Sequence, residues 1–414
     1  MAEAREVDLM LADAAEQTAL ADFGDDWFLG PLSAWAQDLE QAGLNKFGRR
    51  FLRSEAVRDL ARRLRVLDTL RHHPEIGDVP IPPIVYVTGL ERSGTTLLHN
   101  LLALHRDARV LRLWELMEPL PPPMAATYLT DPRIAGVQSQ RDRLRGTALE
   151  QMHWVNANDP DECVFGFIDS VSMLGQVASP CMPNWRRFLV EEDLRPAFAN
   201  YRRMVQLLLW KHPVPPGGFL VLKAPQVSGH LAEFAQTFPE ARFVITDRDP
   251  YRSVVSMAVM SASIVEPFWD ENPLTDDGRR SRMCMTPIPA RLDHITAFTA
   301  DDPCKTLHLS YPDLVHHPID TVLQVYAAHP AADDHLPAKV DMFLERQRAG
   351  ERPAPPSELP SMGYDRTDIW SVPSVSAYCE AFGIVAERTR LTGYTPACKT
   401  VPPNRRSGST LIRL

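Results

Sequence analysis

Hydrophobic positions fall along this chain in two alternating rhythms. Short apolar runs recur at 84–88 (IVYVT), 109–113 (RVLRL), 219–223 (FLVLK), 242–246 (RFVIT) and 306–310 (TLHLS). They are mostly continuous rather than alternating, as expected of strands covered on both faces of a parallel sheet. Between them, apolar residues return every three or four positions. Phe198, Tyr201, Val205, Leu208 and Leu209 share one face of a predicted helix, and Leu231, Phe234, Ala235 and Phe238 share another. Strands alternating with helices imply right-handed crossovers and an open α/β sheet. Residues 1 to 75 read as helical, and RSEAVRDLARRLRVLDTL (53–70) places apolar residues at helical spacing with its arginines on a solvated face. A Pro-punctuated link, PEIGDVPIPP, leads from there into the first strand. Two further Pro-rich stretches, 118–132 and 345–363, read as surface excursions.

Composition narrows the function. A net charge of −9 argues against a general nucleic-acid binder, while 44% hydrophobic residues are ordinary for a globular protein. Cys163, Cys181, Cys284, Cys304, Cys379 and Cys398 form no CxxC pair, so zinc is not expected. There is no apolar run long enough for a transmembrane segment, and the acidic start MAEAREVDLMLADAAEQ has no signal-peptide core. The expectation is a cytoplasmic protein with reduced thiols.

The richest segment is IVYVTGLERSGTTLLHNLLAL (84–104). A β-branched run ends at Gly89, Arg92-Ser93-Gly94-Thr95-Thr96 follows, and a leucine-rich helical pattern begins. Strand, glycine turn and helix N-terminus together make a phosphate cradle. Gly89 and Gly94 have the separation of the nucleotide P-loop, but Thr95 stands where that loop carries Lys, and Arg92 supplies a cation inside the loop. Without the Lys, the loop is poorly equipped for γ-phosphoryl transfer. A second anion motif lies in RFVITDRDPYRSVVSM (242–257), where Arg248 follows a strand end and Ser256 falls inside the next helix. An Arg fork and a hydroxyl can grip one phosphate from two sides.

With both motifs in place, the chain resembles the sulfotransferases that use 3′-phosphoadenosine-5′-phosphosulfate (PAPS), in particular their bacterial, actinobacterial-type branch. ADFGDDWF, PIVYVTGLERSGTTLLHNLLA, Trp114-Glu115, MHWVNANDPDEC, LVLKAPQ, FPEARFVITDRDP and LHLSYPDLVHHP look like family landmarks, and the resemblance runs from about residue 10 to 330. It implies a P-loop-like three-layer α/β fold: a central parallel sheet flanked by helices, with helical N- and C-terminal extensions. The division expected is a helical extension at 1–75, a core at 76–330, and a segment at 331–414 completing the same domain.

By the same resemblance, Gly89, Arg92, Ser93, Gly94, Thr95 and Thr96 would hold the 5′-phosphosulfate. Arg248 and Ser256 would hold the 3′-phosphate, and Arg92 and Lys223 would act on the sulfuryl group. PAPS would be the donor and 3′,5′-adenosine bisphosphate (PAP) the product, with no metal. The acceptor would be a small molecule or lipid, through a hydroxyl or less readily an amine, and a homodimer is compatible with the chain.

The general base is where the sequence departs. The family often places His four residues after the Lys; here that position is Val227, and His230 comes one helical turn later. His153, followed by Asp159, Asp161 and Glu162, is the other candidate. Asp247 replaces a common His before Arg-Asp-Pro, and Glu91 replaces a common Pro. Basic residues around Gly350 (Arg346, Arg348, Arg352) or Gly408 (Arg405, Arg406) are candidates for a third phosphate contact. Trp114, Trp154, Phe165, Phe167, Met173 and Trp185 suggest an apolar or aromatic acceptor pocket, or simply core. Two rival functions stay open: a P-loop small-molecule kinase, and a PAPS- or PAP-binding protein that has lost its base.

Overall fold

The structure is a computed structural model that describes residues 2–143, 155–167, 181–275, 280, 284–327, 333–351 and 362–387. His153, Trp154, Met173, Arg352, Arg405 and Arg406 lie outside the described residues.

Five strands form one parallel sheet: β1 (Ile84–Gly89), β2 (Ala108–Val110), β3 (Phe219–Lys223), β4 (Ala241–Asp247) and β5 (Thr306–Ser310), in the order β2-β3-β1-β4-β5. The runs are continuously apolar because both faces are covered. On one face, Tyr86, Leu220, Leu222, Phe243 and Ile245 pack among Phe198, Tyr201, Leu208, Phe234 and Ile295 from the crossover helices. On the other, Val87, Val221, Val244 and Leu309 meet Leu98, Leu101, Val322 and Val340. These are the three layers expected. The 109–113 run is shortened, however: β2 stops at Val110 and Leu113 already begins a helix. Glu115 causes this, because its carboxylate turns back to accept from the Arg112 N–H at 2.8 Å and caps the new helix.

Three N-terminal helices, α1 (Ala2–Thr18), α2 (Leu29–Gln41) and α3 (Lys46–His72), build a second core around Trp35, Leu52, Leu60 and Leu64. Trp185 inserts into that core, edge-on to Trp35 at 6.0 Å. The solvated arginine face expected of α3 is corrected at two positions. Arg63 is fully buried and donates to the carbonyls of Phe23 and Asp25. Arg62 is buried on the carbonyls of Leu116, Phe165 and Phe167. A guanidinium carries five donors, so it can be buried wherever loop carbonyls converge on it. The basic stretch at 345–351, expected within a loop, instead continues a helix through Arg346 into a wide turn over Gln347–Glu351.

The register puts the site together. Gly89 at the end of β1 lies beside Thr246 of β4, and Val87 beside Lys223 of β3. The chain turns from β1 toward β2 and β3 on one side, and toward β4 on the other. The carboxyl ends of β3, β1 and β4 therefore frame a switch-point crevice, the usual ligand site of such sheets.

Candidate active site

The loop after β1 is held in a shape that few side chains tolerate. Gly94 has φ +98°, and a Cβ there would stand 2.7 Å from the Tyr311 ring. Gly89 has φ +134°, and a Cβ there would stand 2.7 Å from the Thr246 carbonyl. Arg92 itself adopts φ +70°, a conformation uncommon outside glycine and typical of functional loops. The loop ends on α4 (Thr95–Leu102), whose first N–H groups have no intrahelical acceptor and no side-chain cap. Ser93 serves the scaffold: its hydroxyl donates to the Leu90 carbonyl and meets Thr246 Oγ1, each at 2.6 Å.

The two anion motifs meet. Arg248 Nη1 donates to the Arg92 carbonyl at 2.8 Å, and Arg92 Nε donates to Ser256 Oγ at 2.9 Å. The resemblance assigns Arg92 and Ser256 to different phosphates; the fold bonds them to each other. Burial and the neighbouring Arg248 charge hold the Arg92 pKa below the ordinary arginine range, which favours an anion beside it. Arg248 lies over the Tyr311 ring, 3.9 Å from its centroid, and its outer edge is paired with Glu387 at 2.8 and 3.2 Å. Glu387 also reaches Arg252 at 3.4 Å, and its N–H is anchored on Asp249.

Lys223, fully buried at the end of β3, reaches Thr96 Oγ1 at 3.3 Å and Glu162 Oε1 at 2.7 Å. Asp161 lies 4.0 Å away on the other side and accepts the Glu162 N–H. Burial, with help from Glu162 and against Lys223, pushes the Asp161 carboxyl up to about 7. Gln226 Nε2 donates to the second oxygen of Glu162 at 2.7 Å. The Lys223–Glu162–Gln226 chain is the feature that sequence reading missed as a unit. Its signal was present in the Asp161 and Glu162 carboxylates and in the LVLKAPQ landmark.

Beside this chain opens a cavity of about 230 Å³, walled by Trp27, Phe167, Trp185, Phe198, Val227 and Met257. Phe167 and Trp185 line this cavity, whereas Trp114 and Phe165 pack elsewhere with Tyr128. Glu91, the departure from Pro, forms a 2.6 Å ion pair with Arg291 at the cavity wall. Arg291 in turn fixes Ser228 Oγ and the Pro225 carbonyl, setting the turn after β3.

His230 lines the cavity but is engaged by structure. Its Nε2 meets the Leu189 carbonyl at 2.8 Å, its Nδ1 lies 3.9 Å from Glu233, and burial lowers its pKa. The helical turn that would have aligned it with Lys223 is a 3₁₀ turn, Pro225–Gly229, ending before His230. His99 sits buried behind the loop as packing, bonded to the Val221 carbonyl. Burial, followed by the nearby Lys223 charge, lowers its pKa to about 3. Asp247, the residue in place of a His before Arg248, meets His308 Nδ1 of β5 at 2.8 Å.

The sulfotransferase family model matches residues 83–329, more than half of the chain and all five strands. The chain belongs to the sulfotransferase family. Solved structures agree in fold. The sulfotransferase superposes on sulfotransferase STF9 from Mycobacterium avium with a TM-score of 0.81 at 22% identity, covering 91% of this chain and 97% of that one. For STF1 from Mycobacterium tuberculosis the values are 0.76 and 22%, with 89% and 98% covered. No protein with a curated description matches significantly. Among the described residues of the sulfotransferase, no helix is long and apolar enough to cross a membrane.

Proposed function

We propose that this sulfotransferase moves a sulfuryl group from PAPS to a hydroxyl of a small-molecule or lipid acceptor bound in the aromatic cavity. One observation carries the reading. The two anion motifs of adjacent strand ends are tied together, Arg248 Nη1 donating to the Arg92 carbonyl at 2.8 Å, so that both cations serve one crevice. A nucleoside triphosphate would want the P-loop Lys, whose place Thr95 takes.

In this reading the Gly89–Thr96 loop and the start of α4 hold the 5′-phosphosulfate through backbone N–H groups. Gly89 and Gly94 leave room for that approach, and Ser93 fixes the loop. Arg248 and Ser256 take the 3′-phosphate, with Arg92 bridging to the sulfuryl end. Lys223 and Arg92 neutralise the charge that develops on the leaving phosphate. An amine acceptor is the lesser alternative. A reducing compartment, the cytoplasm, suits the described cysteines, none of which is in a disulfide.

The test is thermal stabilisation by PAP, with 5′-AMP and Mg-ATP as controls, on wild type and Arg248→Ala. A ligand at a hundredfold excess over its Kd adds about 2.7 kcal/mol to the folded state. The expected pattern is stabilisation by PAP alone and its loss in the variant. Stabilisation by Mg-ATP alone would return the loop to a kinase role.

A further inference from the structure

We propose that the acceptor of this sulfotransferase is a compact aromatic compound carrying a second, uncharged hydroxyl beside the one that is sulfated, and that Ser253 reads this second hydroxyl. The proposal rests on the sulfuryl-transfer reading above and deepens it by naming the acceptor class.

The helix Pro250–Val265 starts two residues after Arg248 and runs along the cavity. Ser253, Met257 and Ser261 recur every four positions on it, so one stripe of the helix borders the cavity. Ser256, three residues on from Ser253, bonds Arg92 instead. One helix thus meets the anion loop through Ser256 and the acceptor cavity through Ser253. Ser253 is 2% exposed, and its Oγ has no hydrogen-bond partner among the described residues. Burying a hydroxyl without a partner is a loss that alanine, a better helix former, would avoid. A guest that hydrogen-bonds there recovers it. Gln226 Oε1 is a second such atom in the cavity wall. Gln226 Nε2 is on Glu162, which holds Lys223, so Gln226 marks the reacting end and Ser253 a separate anchor. An amide oxygen only accepts, and a serine hydroxyl takes either role, so a guest with two O–H groups satisfies both atoms.

The remaining walls set the shape and charge of that guest. Trp27, Phe167, Trp185 and Phe198 supply aromatic rings, with Phe167 and Phe198 edge-on at 6.1 Å. Such rings stack on, or cross, the face of another ring. The cavity of about 230 Å³ is smaller than the roughly 300–1,000 Å³ of pockets for drug-sized ligands, which suits a fused bicycle rather than a long chain. Charge on the wall is balanced locally. Glu91 and Arg291 are ion-paired at 2.6 Å, Arg186 lies in the field of the same Glu91, and burial lowers the pKa of His230 toward the neutral ring. A neutral hydroxyl therefore fits beside Ser253 better than a carboxylate or an ammonium.

The test measures kcat/KM for wild type and Ser253→Ala on 2-naphthols bearing a hydroxyl at ring position 3, 6 or 7, on the methyl counterparts, and on 6-hydroxy-2-naphthoate. PAP-induced stabilisation and the ligand-free melting temperature are recorded for both proteins. A hydrogen bond into a buried, partnerless site is worth about tenfold. In the wild type the best diol should exceed its methyl counterpart by about that factor, after halving for its two equivalent hydroxyls, with the difference in KM. In Ser253→Ala the ratio should fall to within about twofold, mainly by loss on the diol. PAP stabilisation should be retained and the ligand-free melting temperature unchanged or raised. Equal use of diol and methyl compound by the wild type would overturn the proposal, and so would an undiminished preference in the variant. Preference for the naphthoate would turn the assignment to Arg186, and a lower ligand-free melting temperature in Ser253→Ala would make the hydroxyl structural; either result also overturns it. So would a PAP-binding wild type that turns over none of the compounds. Absence of PAP stabilisation in the wild type would instead sink the donor reading, and the acceptor class with it.

Discussion

His99 shows how one buried ring reports on its surroundings. It is 1% exposed, and its pKa near 3 lies far below the ordinary value of 6.5. The unfolded chain therefore takes up a proton at this residue several pH units before the folded one does. The stability His99 contributes is complete above pH 6.5 and is lost as pH falls toward 3, by up to about 1.4 kcal/mol per unit. Urea titrations of wild type and His99→Gln between pH 7 and 4 should give curves that separate in acid, the wild type falling faster. Parallel curves would mean that His99 titrates alike in the folded and unfolded chain. Nearby, Lys223 shows a different economy of charge. Its single ammonium is shared by a threonine, a glutamate and a buried aspartyl group, so no neighbour can change protonation without its feeling the change.

At the scale of elements, α3 does more than cover a core. Arg62 gathers the carbonyls of Leu116, Phe165 and Phe167 and pairs with the buried Asp59 at 3.1 Å, tying α3 to the segment that carries Glu162. Arg62→Leu should strand those acceptors at about 1–3 kcal/mol each before relaxation, for a net loss of roughly 2–5 kcal/mol in urea denaturation. Hydrogen exchange should quicken most within 155–167; uniform quickening would deny the tie. None of this was legible in the sequence. A lone arginine on a helical stripe reads as solvated, and its acceptors lie as many as 105 residues away. The strands were legible because their runs are apolar on both faces. The end of β2 was not, since a side chain three residues on decides it. The anion loop could be read from two glycines and a cation in one short segment. The Glu162–Lys223 contact could not, because it joins residues 61 apart that only the sheet order brings together.

The whole molecule arranges its chemistry along the carboxyl edge of one sheet and then closes that edge with its C-terminal part. Trp370 and Arg366 hold Asp249, and Tyr378 donates to Asp247, so residues 362–387 pack against the end of β4. Glu387, the last residue described, ends this run on Arg248 and Arg252. Its carboxylate thus occupies a cation that the proposed donor needs. Glu387→Gln is expected to tighten PAP binding by roughly 0.5–1.5 kcal/mol, about threefold to tenfold in Kd, as measured by calorimetry. Unchanged affinity would mean that the two anions do not share Arg248. A competitor on the same chain never dilutes away, and its effective concentration depends on the tether rather than on the cell. The spent nucleotide would then meet a rival at the moment it loosens, and rebinding would be cut short. Slow product departure limits many transferases, and in this one the chain would carry its own means of clearing the site between turnovers.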